Sequence, residues 1–310
     1  MTTNLATVDV VGVGLNATDI LIPVKDFPVS GSKVENKSAN AMLGGQVASA
    51  MAACQQWGLH TRYVGKFGED HFSQLHQAEF ARLGVETHLV TAPGGTSQQA
   101  YILVDHNGER TVLWKRDPRL TLFPEELRRE WIVQSQVLLL DGHDTAAASL
   151  AARWAREAGI PVVADLDELY PGVEELLPNI DYLITSRDIP GKLTGDEDLR
   201  RSLPEVLRRY KCRLAAATLG NEGVLAWDGA RFTYAPAFQI DAVDTTGAGD
   251  TFHAGFIYGL RNAWPLERQL TFACAAAALN CTALGARGGI QSVQNIEQLI
   301  ATGQRCPAAF

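Results

Sequence analysis

Hydrophobic and polar residues alternate along this chain with two periods, one typical of buried strands and one typical of helices. Short β-branched apolar runs predict strands at residues 8–15, 61–65, 85–90, 137–140, 161–165, 182–185 and 213–219. Apolar residues at helical spacing predict helices at 46–57, 70–83, 145–158, 174–177, 199–210, 249–262 and 265–284. Because strands and helices alternate, we expect an α/β fold whose mostly parallel sheet carries helices on both faces.

Two segments interrupt this alternation with β-rich sequence. The first begins with the strand-like run 18–23, which ends at a proline. The second, 97–115, contains two β-rich runs around Asn107-Gly108, a dipeptide that strongly predicts a hairpin. We expect these segments, about 17–40 and 96–118, to pair as a small β-sheet outside the main body. A further hairpin is predicted at 224–234.

The composition narrows the class of protein. No long linker or internal repeat divides the 310 residues, so we expect one domain over 1–310. The net charge of −8 argues against non-specific binding to nucleic acid or to an anionic membrane surface. No apolar stretch reaches the roughly 18 residues of a membrane span, and the polar N-terminus predicts no signal peptide. Five widely spaced cysteines predict reduced thiols in the cytoplasm and no zinc site.

The most informative stretch is 244–252, which reads Asp-Thr-Thr-Gly-Ala-Gly-Asp-Thr-Phe and precedes an apolar helical run. A helix start presents unpaired N–H groups, and glycines let that backbone approach a phosphate. Asp250 would lie in the first helical turn, beside the bound phosphate, where a carboxylate can act on the attacking group. The stretch therefore predicts a phosphate cradle with its own general base. The alternative is a glycine-rich turn with Asp250 as an ordinary helix N-terminal residue.

Two other glycine motifs do not compete for a phosphate. Gly12-x-Gly14 has the letters of a dinucleotide fingerprint, but it leads into a β-branched run closed by Pro23 instead of a helix. Gly191-Lys192 lacks the Ser or Thr and the upstream glycine of a Walker A loop. An ATP site must therefore use another cradle.

A second group of candidates lies in the first part of the chain. Asn16 and Asp19 follow the first predicted strand, at the end of the sheet where open α/β proteins bind ligands. Gly44-Gly45 precedes a predicted helix and could expose N–H groups to a ligand. The alternatives are an Asx turn for the first pair and a hinge for the second.

Together these features resemble the ribokinase-type (PfkB) carbohydrate kinases over about residues 8–290. The motifs that carry the resemblance are 244–252 for the C-terminal signature, 44–50 for the N-terminal signature, Gly65-x-Phe67-Gly68-x-Asp70 after it, and 218–223 beside the nucleotide. The resemblance implies a three-layer α/β/α ribokinase-like fold with a β-sheet lid over the sugar site.

The resemblance also implies roles for individual residues in moving the γ-phosphoryl group of ATP to a sugar hydroxyl. Asp250 would be the catalytic base, and the N–H groups of Gly247, Ala248 and Gly249 would form the anion hole. Sugar contacts would come from Asp19, Gly44, Gly45 and Ser49. ATP would be bordered by Thr218, Gly220, Gly223, Thr246, Ala277 and Asn280. Mg²⁺ would accompany ATP, and Asp244 and Thr246 would hold a monovalent cation such as K⁺.

The sequence departs from the family pattern in two places. Ser49 stands where the family usually has an asparagine that contacts sugar. Ser186 and Ile189 replace both defined residues of the family's Asn-x-x-Glu motif, which handles Mg²⁺ and phosphate; Asp188 or Glu168 could compensate through water. His253 and the segment 278–290 resemble ketohexokinase-like and sulfofructose-kinase-like members, which favours a keto-sugar acceptor.

Three hypotheses for function follow. The first is an ATP-dependent sugar kinase acting on a ketose or a ribose-like sugar. The second is a nucleoside kinase of the same fold, in which Tyr101 and Trp114 of the predicted lid hairpin would contact the base. The third is a non-catalytic sugar- or nucleotide-binding homologue, which the missing Asn-x-x-Glu favours and the intact Gly-Ala-Gly-Asp opposes. The apolar lid strands also predict a homodimer formed lid against lid.

Overall fold

The computed structural model describes residues 5–36, 38–105 and 110–308. The strands are β1 (Val10–Val13), β2 (Ala17–Pro23), β3 (Asn40–Gly44), β4 (Thr61–Phe67), β5 (Glu86–Thr91), β6 (Gln99–Val104), β7 (Arg110–Lys115), β8 (Leu138–Leu140), β9 (Val162–Leu166), β10 (Tyr182–Ser186), β11 (Leu214–Thr218), β12 (Val224–Trp227) and β13 (Phe232–Ala235). The helices are α1 (Gln46–Gln56), α2 (His71–Leu83), α3 (Arg129–Val133), α4 (Thr145–Glu157), α5 (Val173–Leu176), α6 (Ile189–Thr194), α7 (Leu199–Tyr210), α8 (Ala248–Arg261), α9 (Leu266–Asn280) and α10 (Val293–Thr302).

The main sheet is mostly parallel, as the alternation of strands and helices predicts. Within the described ranges it has nine strands in the order β13-β12-β11-β10-β9-β8-β1-β4-β5. Neighbours from β11 to β5 pair in parallel, and β12 and β13 add an antiparallel edge. Every residue of β1 is buried. A strand that is apolar on both faces belongs in the middle of a sheet that helices cover on both sides.

Helices cover both faces of this sheet and give it two apolar clusters. One cluster takes side chains from α1, α2, α8, α9 and α10. The other takes side chains from α3, α4, α5 and α7. The expected three-layer α/β/α arrangement is therefore confirmed, and α8, which carries the phosphate motif, packs in the first layer.

The lid is a separate small sheet, as expected. Within the described residues its four strands follow the order β3-β2-β6-β7. The hairpin β6–β7 pairs in register from Gln99–Lys115 to Val104–Arg110, while its turn at 106–109 lies outside the described residues. Strand β3 extends the lid to Gly44, beyond the expected segment 17–40. The glycine pair therefore begins where a lid strand ends.

Local signals predict some element ends well and miss weak elements. Asp70 caps α2 by accepting a hydrogen bond from the Ser73 N–H, and Gly84 ends the helix in the left-handed region, as predicted. Helices α3, α6 and α10 were not predicted. Two of them are very short, with five and six residues, and short apolar runs carry little periodic information.

The composition predicts no membrane span and reduced thiols. No helix in the part of the chain that the structure describes is long and apolar enough to span a bilayer. All five cysteines are free thiols, and four of them are buried.

The position of α8 depends on a close contact with α9. A Cβ on Gly255 would lie 2.8 Å from the Cα of Ala273, so a larger side chain must push the helices apart. We expect Gly255→Val to lower the free energy of unfolding by about 1–3 kcal/mol, measured by urea denaturation. The matched control is Gly191→Val, where the nearest atom would be 3.5 Å away. Equal losses in both variants would contradict a specific role for the contact.

Candidate active site

The phosphate cradle is built where α8 begins. Gly247 is the residue before the helix, and its φ of 76° lies in the left-handed region. A Cβ at this position would lie 2.3 Å from the backbone oxygen of Ala286. Glycine is therefore needed twice, for the turn and for the close approach of the loop after α9.

The first turn of α8 is open to a ligand. Apart from its own helix, no described atom lies within 4 Å of the place where a Cβ of Gly249 would point. The Ala248 N–H makes only a long hydrogen bond, 3.3 Å, to the oxygen of Thr245. Unpaired N–H groups and the positive end of the helix dipole favour an anion here. Gly247, Ala248 and Gly249 thus lie together in the position expected of an anion hole.

Asp250 follows in the same turn, among other charged groups. Burial raises its pKa well above the usual value, and the carboxylates of Asp165 and Asp19 raise it further. A hydrogen bond from Ser49 and the charge of Arg287 lower it in part. A carboxylate with a raised pKa is a stronger base, which suits a group that must accept a hydroxyl proton.

The residues expected to bind sugar meet on the lid side of Asp250. Asp19 is buried in β2, and a Cβ on Gly44 would lie 2.3 Å from its Oδ2. Gly45 has a φ of 92°, and a Cβ there would lie 2.5 Å from the Cα of Asn16. The glycine pair therefore lets the backbone close against both polar residues. Ser49 lies in the first turn of α1, directly after this pair.

Arg287, which the sequence analysis missed, joins several parts of the site. Its Nε donates to Ser49 Oγ at 3.2 Å, and its Nη2 donates to the Gly44 oxygen at 2.9 Å. Its Nη1 is paired with Glu79 of α2, and only 6% of its side chain is exposed. A lone arginine in a glycine-rich run gives no local signal of such a role. Ser49 also forms a hydrogen bond with Asp250, so it connects this guanidinium to the acid of α8.

A buried His–Asp pair, also missed, lies beneath the base. His253 Nδ1 lies 3.2 Å from Asp165 Oδ2 and 2.9 Å from the Gly249 oxygen, and its Nε2 lies 3.3 Å from the Ile184 oxygen. Burial raises the pKa of Asp165 and lowers the pKa of His253 to about 4, so both uncharged forms are favoured. The pair ties the peptide next to Asp250 to β9 and β10.

A cavity of about 250 Å³ lies on the other side of the α8 start. Four of the expected nucleotide neighbours line it: Thr218, Gly220, Gly223 and Ala277. Apolar side chains of Phe238, Ile240 and Phe252 form other parts of its wall, and Ala248 and Gly249 form the end nearest the cradle. An apolar wall that leads to an anion-binding helix start fits a nucleotide with its base in the cavity and its phosphates at α8.

Two residues expected at the nucleotide lie beneath the cradle instead. The buried Asn280 donates from Nδ2 to the oxygens of Thr246 and Ala286, and neither Asn280 nor Thr246 lines the cavity. Asp244 accepts from the Thr246 N–H at 2.9 Å, the Thr246 hydroxyl at 2.7 Å and the Gly285 N–H at 2.8 Å. These side chains brace the turn before α8 against the loop after α9, because each of them bonds to one or both segments.

The segment expected to handle Mg²⁺ contains one carboxylate, that of Asp188, and this carboxylate is already paired. Ile189 is buried in α6. Asp188 and Glu168 both pair with Lys192, at 2.7 and 3.3 Å. Within the described residues, no group of three or more Asp, Glu, His or Cys side chains could hold a metal ion. The protein side chains here therefore do not form a closed metal site.

The nine-stranded, mostly parallel sheet with its four-stranded lid places this chain in a known class of enzymes. The chain belongs to the pfkB family of carbohydrate kinases, whose family model matches residues 8–292. That match includes the lid strands, the phosphate cradle at α8 and the residues that line the cavity beside it.

Individual relatives agree on the family and differ in the acceptor. The chain is 25% identical to the ribokinase of Bacillus subtilis, over 93% of this chain and 98% of the relative. It is also 25% identical to the 5-dehydro-2-deoxygluconokinase of Geobacillus kaustophilus, over 93% and 90%. A ribokinase II from E. coli, solved with ATP and Mg²⁺, superimposes with a TM-score of 0.85 over 96% of this chain and 99% of that one, at 18% identity. This last similarity confirms the ribokinase fold.

The contacts of Arg287 yield a prediction about pH. Arg287→Met removes a positive charge near Asp250, so the pKa of Asp250 should rise further. Because the expected base acts in its deprotonated form, the acid limb of the kcat/KM profile should move to higher pH. The matched control is Arg82→Met, since Arg82 also approaches Glu79, at 4.0 Å, but is 69% exposed. Superimposable pH profiles of the two variants would show that Arg287 does not tune the base.

Proposed function

We propose that this carbohydrate kinase transfers the γ-phosphoryl group of ATP to a hydroxyl of a small sugar. Asp250 is the base that accepts the proton of that hydroxyl. One observation carries the proposal. Asp250 lies in the first turn of α8, beside a helix start that is open to an anion, and it is close enough to Asp19 and Ser49 to feel the charge of the one and the hydrogen bond of the other.

The mechanism follows from these positions. The sugar hydroxyl oxygen attacks the γ-phosphorus, its proton passes to Asp250, and the bond from the γ-phosphorus to the bridging oxygen breaks to release ADP. The N–H groups of Gly247, Ala248 and Gly249 stabilise the negative charge on the transferring group. Asp19 and the glycine pair orient the hydroxyl, and the lid excludes water that would otherwise accept the phosphoryl group.

We propose ATP and Mg²⁺ as the cofactors. The cavity next to α8 supports ATP, since it leads directly to the cradle. When bound, Mg²⁺ would neutralise phosphate charge, but the described side chains offer it no closed set of ligands, so we assign it none. K⁺ at Asp244 and Thr246 stays part of the proposal. It would have to share Asp244 with the turn, because both carboxylate oxygens already accept hydrogen bonds there.

The choice of acceptor stays within the proposal. The relatives named above support a ribose-sized sugar or a related sugar acid, and the preference for ketohexokinase-like or sulfofructose-kinase-like acceptors remains a prediction. A nucleoside would need an aromatic wall, but Tyr101 and Trp114 are 40% and 67% exposed. The intact base and cradle oppose a non-catalytic role. A sugar kinase is therefore the best supported function.

We also propose a homodimer through the lid, because Leu113 and Trp114 on β7 expose 61% and 67% of their surface. Successive strand residues point to opposite faces of a sheet, so the edge strand β7 exposes apolar side chains on both faces, which favours an interface at this edge. We expect a dimer in sedimentation at micromolar concentration and a monomer after Leu113→Glu. The control is Leu75→Glu on α2, at a residue that is 37% exposed. A parent protein that sediments as a monomer would contradict the proposal.

The role of Asp250 has a direct test. Asp250→Asn removes the base but keeps the shape of the turn, so we expect ATP binding to persist while kcat falls about a hundred- to ten-thousandfold. ADP release with a panel of sugars measures turnover, and calorimetry measures ATP binding. Asp228→Asn in the β12–β13 turn is the control. Turnover near the parent value in Asp250→Asn would remove the assignment.

A further inference from the structure

A small polar recess lies beneath the lid, beside the proposed sugar pocket. Its lining includes Asn16, Lys66, Gln98, Arg116 and Asp144. Asn16 follows β1 and contacts the glycine pair through its backbone, as described above. Gln98 directly precedes the lid hairpin, and Arg116 directly follows it. The backbone oxygen of Gln98 accepts a hydrogen bond from the Thr18 N–H at 2.9 Å. The recess therefore borders the sugar pocket on the side of β1 and the lid.

Three buried polar atoms on this lining have no hydrogen-bond partner among the described residues: Asn16 Oδ1, Gln98 Oε1 and Arg116 Nε. Asn16 and Gln98 are only 4% and 7% exposed. The orientation of Asn16 is set, because its Nδ2 donates to Tyr63 Oη at 2.9 Å and to the Lys66 oxygen at 3.1 Å. Its Oδ1 must then accept. A buried acceptor without a donor has lost its hydrogen bonds to water and gained none in return, so the recess suits a ligand that brings hydroxyl donors.

The two cations of the recess are already neutralised. Lys66 Nζ contacts both carboxylate oxygens of Glu126, at 2.7 and 2.9 Å. Arg116 Nη2 bonds Asp144 Oδ1 at 2.6 Å. Asp141 stands behind the recess, where its carboxylate accepts the Leu15 N–H. An anionic substituent would therefore meet cations that already share their charge with Glu126 and Asp144, and it would lie near the further carboxylate of Asp141.

The size of the recess agrees with its charge. Its volume of about 10 Å³ is close to the room that one water molecule needs. A hydroxyl group is about as large as a water molecule. The recess therefore has room for one hydroxyl group.

We propose that this recess binds an uncharged, hydroxyl-bearing end of the acceptor and selects against acceptors with a carboxylate or phosphate at that end. The inference rests on the proposed sugar-kinase function and narrows its substrate class. It also separates this chain from its Geobacillus relative, since the gluconate in that relative's name carries a carboxylate.

The test compares neutral sugars with sugar acids of the same carbon number, such as ribose with ribonate. We expect kcat/KM from ADP release to be at least about a hundredfold higher for a neutral sugar, and calorimetry to show the same order of binding. Equal or better use of the acids would overturn the inference. If neither class is turned over, the proposed function fails, and calorimetry with the same pairs still decides the recess.

Variants test the charge balance itself. Asp144→Asn leaves Arg116 without its counterion, so we expect the preference for neutral over acidic acceptors to fall about tenfold or more. Glu126→Gln should act in the same direction through Lys66 and serves if the first variant does not fold. Asp196→Asn, in an exposed pair with Arg201, is the control. An unchanged preference in both recess variants would show that the recess holds an ordered water only, which would overturn the proposal.

Discussion

The site depends on the close contact between Gly247 and the backbone oxygen of Ala286. This contact brings the loop after α9 against the start of α8, where Asp244 and Asn280 bond the two segments together. Because Arg287 is the next residue of that loop, the same contact carries its guanidinium to Ser49 and Gly44. A side chain at position 247 would separate the two segments. It would therefore disturb the anion hole and the sugar pocket at once.

The pKa of Asp250, the proposed base, is set by opposing effects of burial and neighbouring charges. Asp250 lies near Asp165 and Asp19, and burial together with these carboxylates opposes its ionisation. Arg287 favours ionisation, but its own charge is shared with Glu79. Burial and the two carboxylates therefore make Asp250 a stronger base, and the nearby Arg287 counteracts them in part.

The sequence predicted the parts of this structure that depend on neighbouring residues. The β-branched run of β1, the Asp70 cap and the Gly-Ala-Gly turn before α8 are local patterns, and each was found where expected. The contact of Arg287 with Gly44 joins residues 243 positions apart, and the bond of His253 to the Ile184 oxygen joins residues 69 apart. No local pattern marks such partners, because only the order of strands and helices brings them together. The placement of Asn280 beneath the cradle was missed for the same reason.

The two ends of the proposed site would recognise their ligands by different physical means. At α8 the attraction for an anion comes from backbone N–H groups and the helix dipole, with Asp250 as the acidic side chain of the first turn. At the sugar pocket the cations Lys66, Arg116 and Arg287 are each paired with an acidic side chain. A phosphate is therefore favoured at only one end of the proposed site, and a neutral hydroxyl is favoured at the other. This asymmetry orients the reactants, because ATP phosphates that entered the sugar pocket would lose their solvation without gaining an unpaired cation.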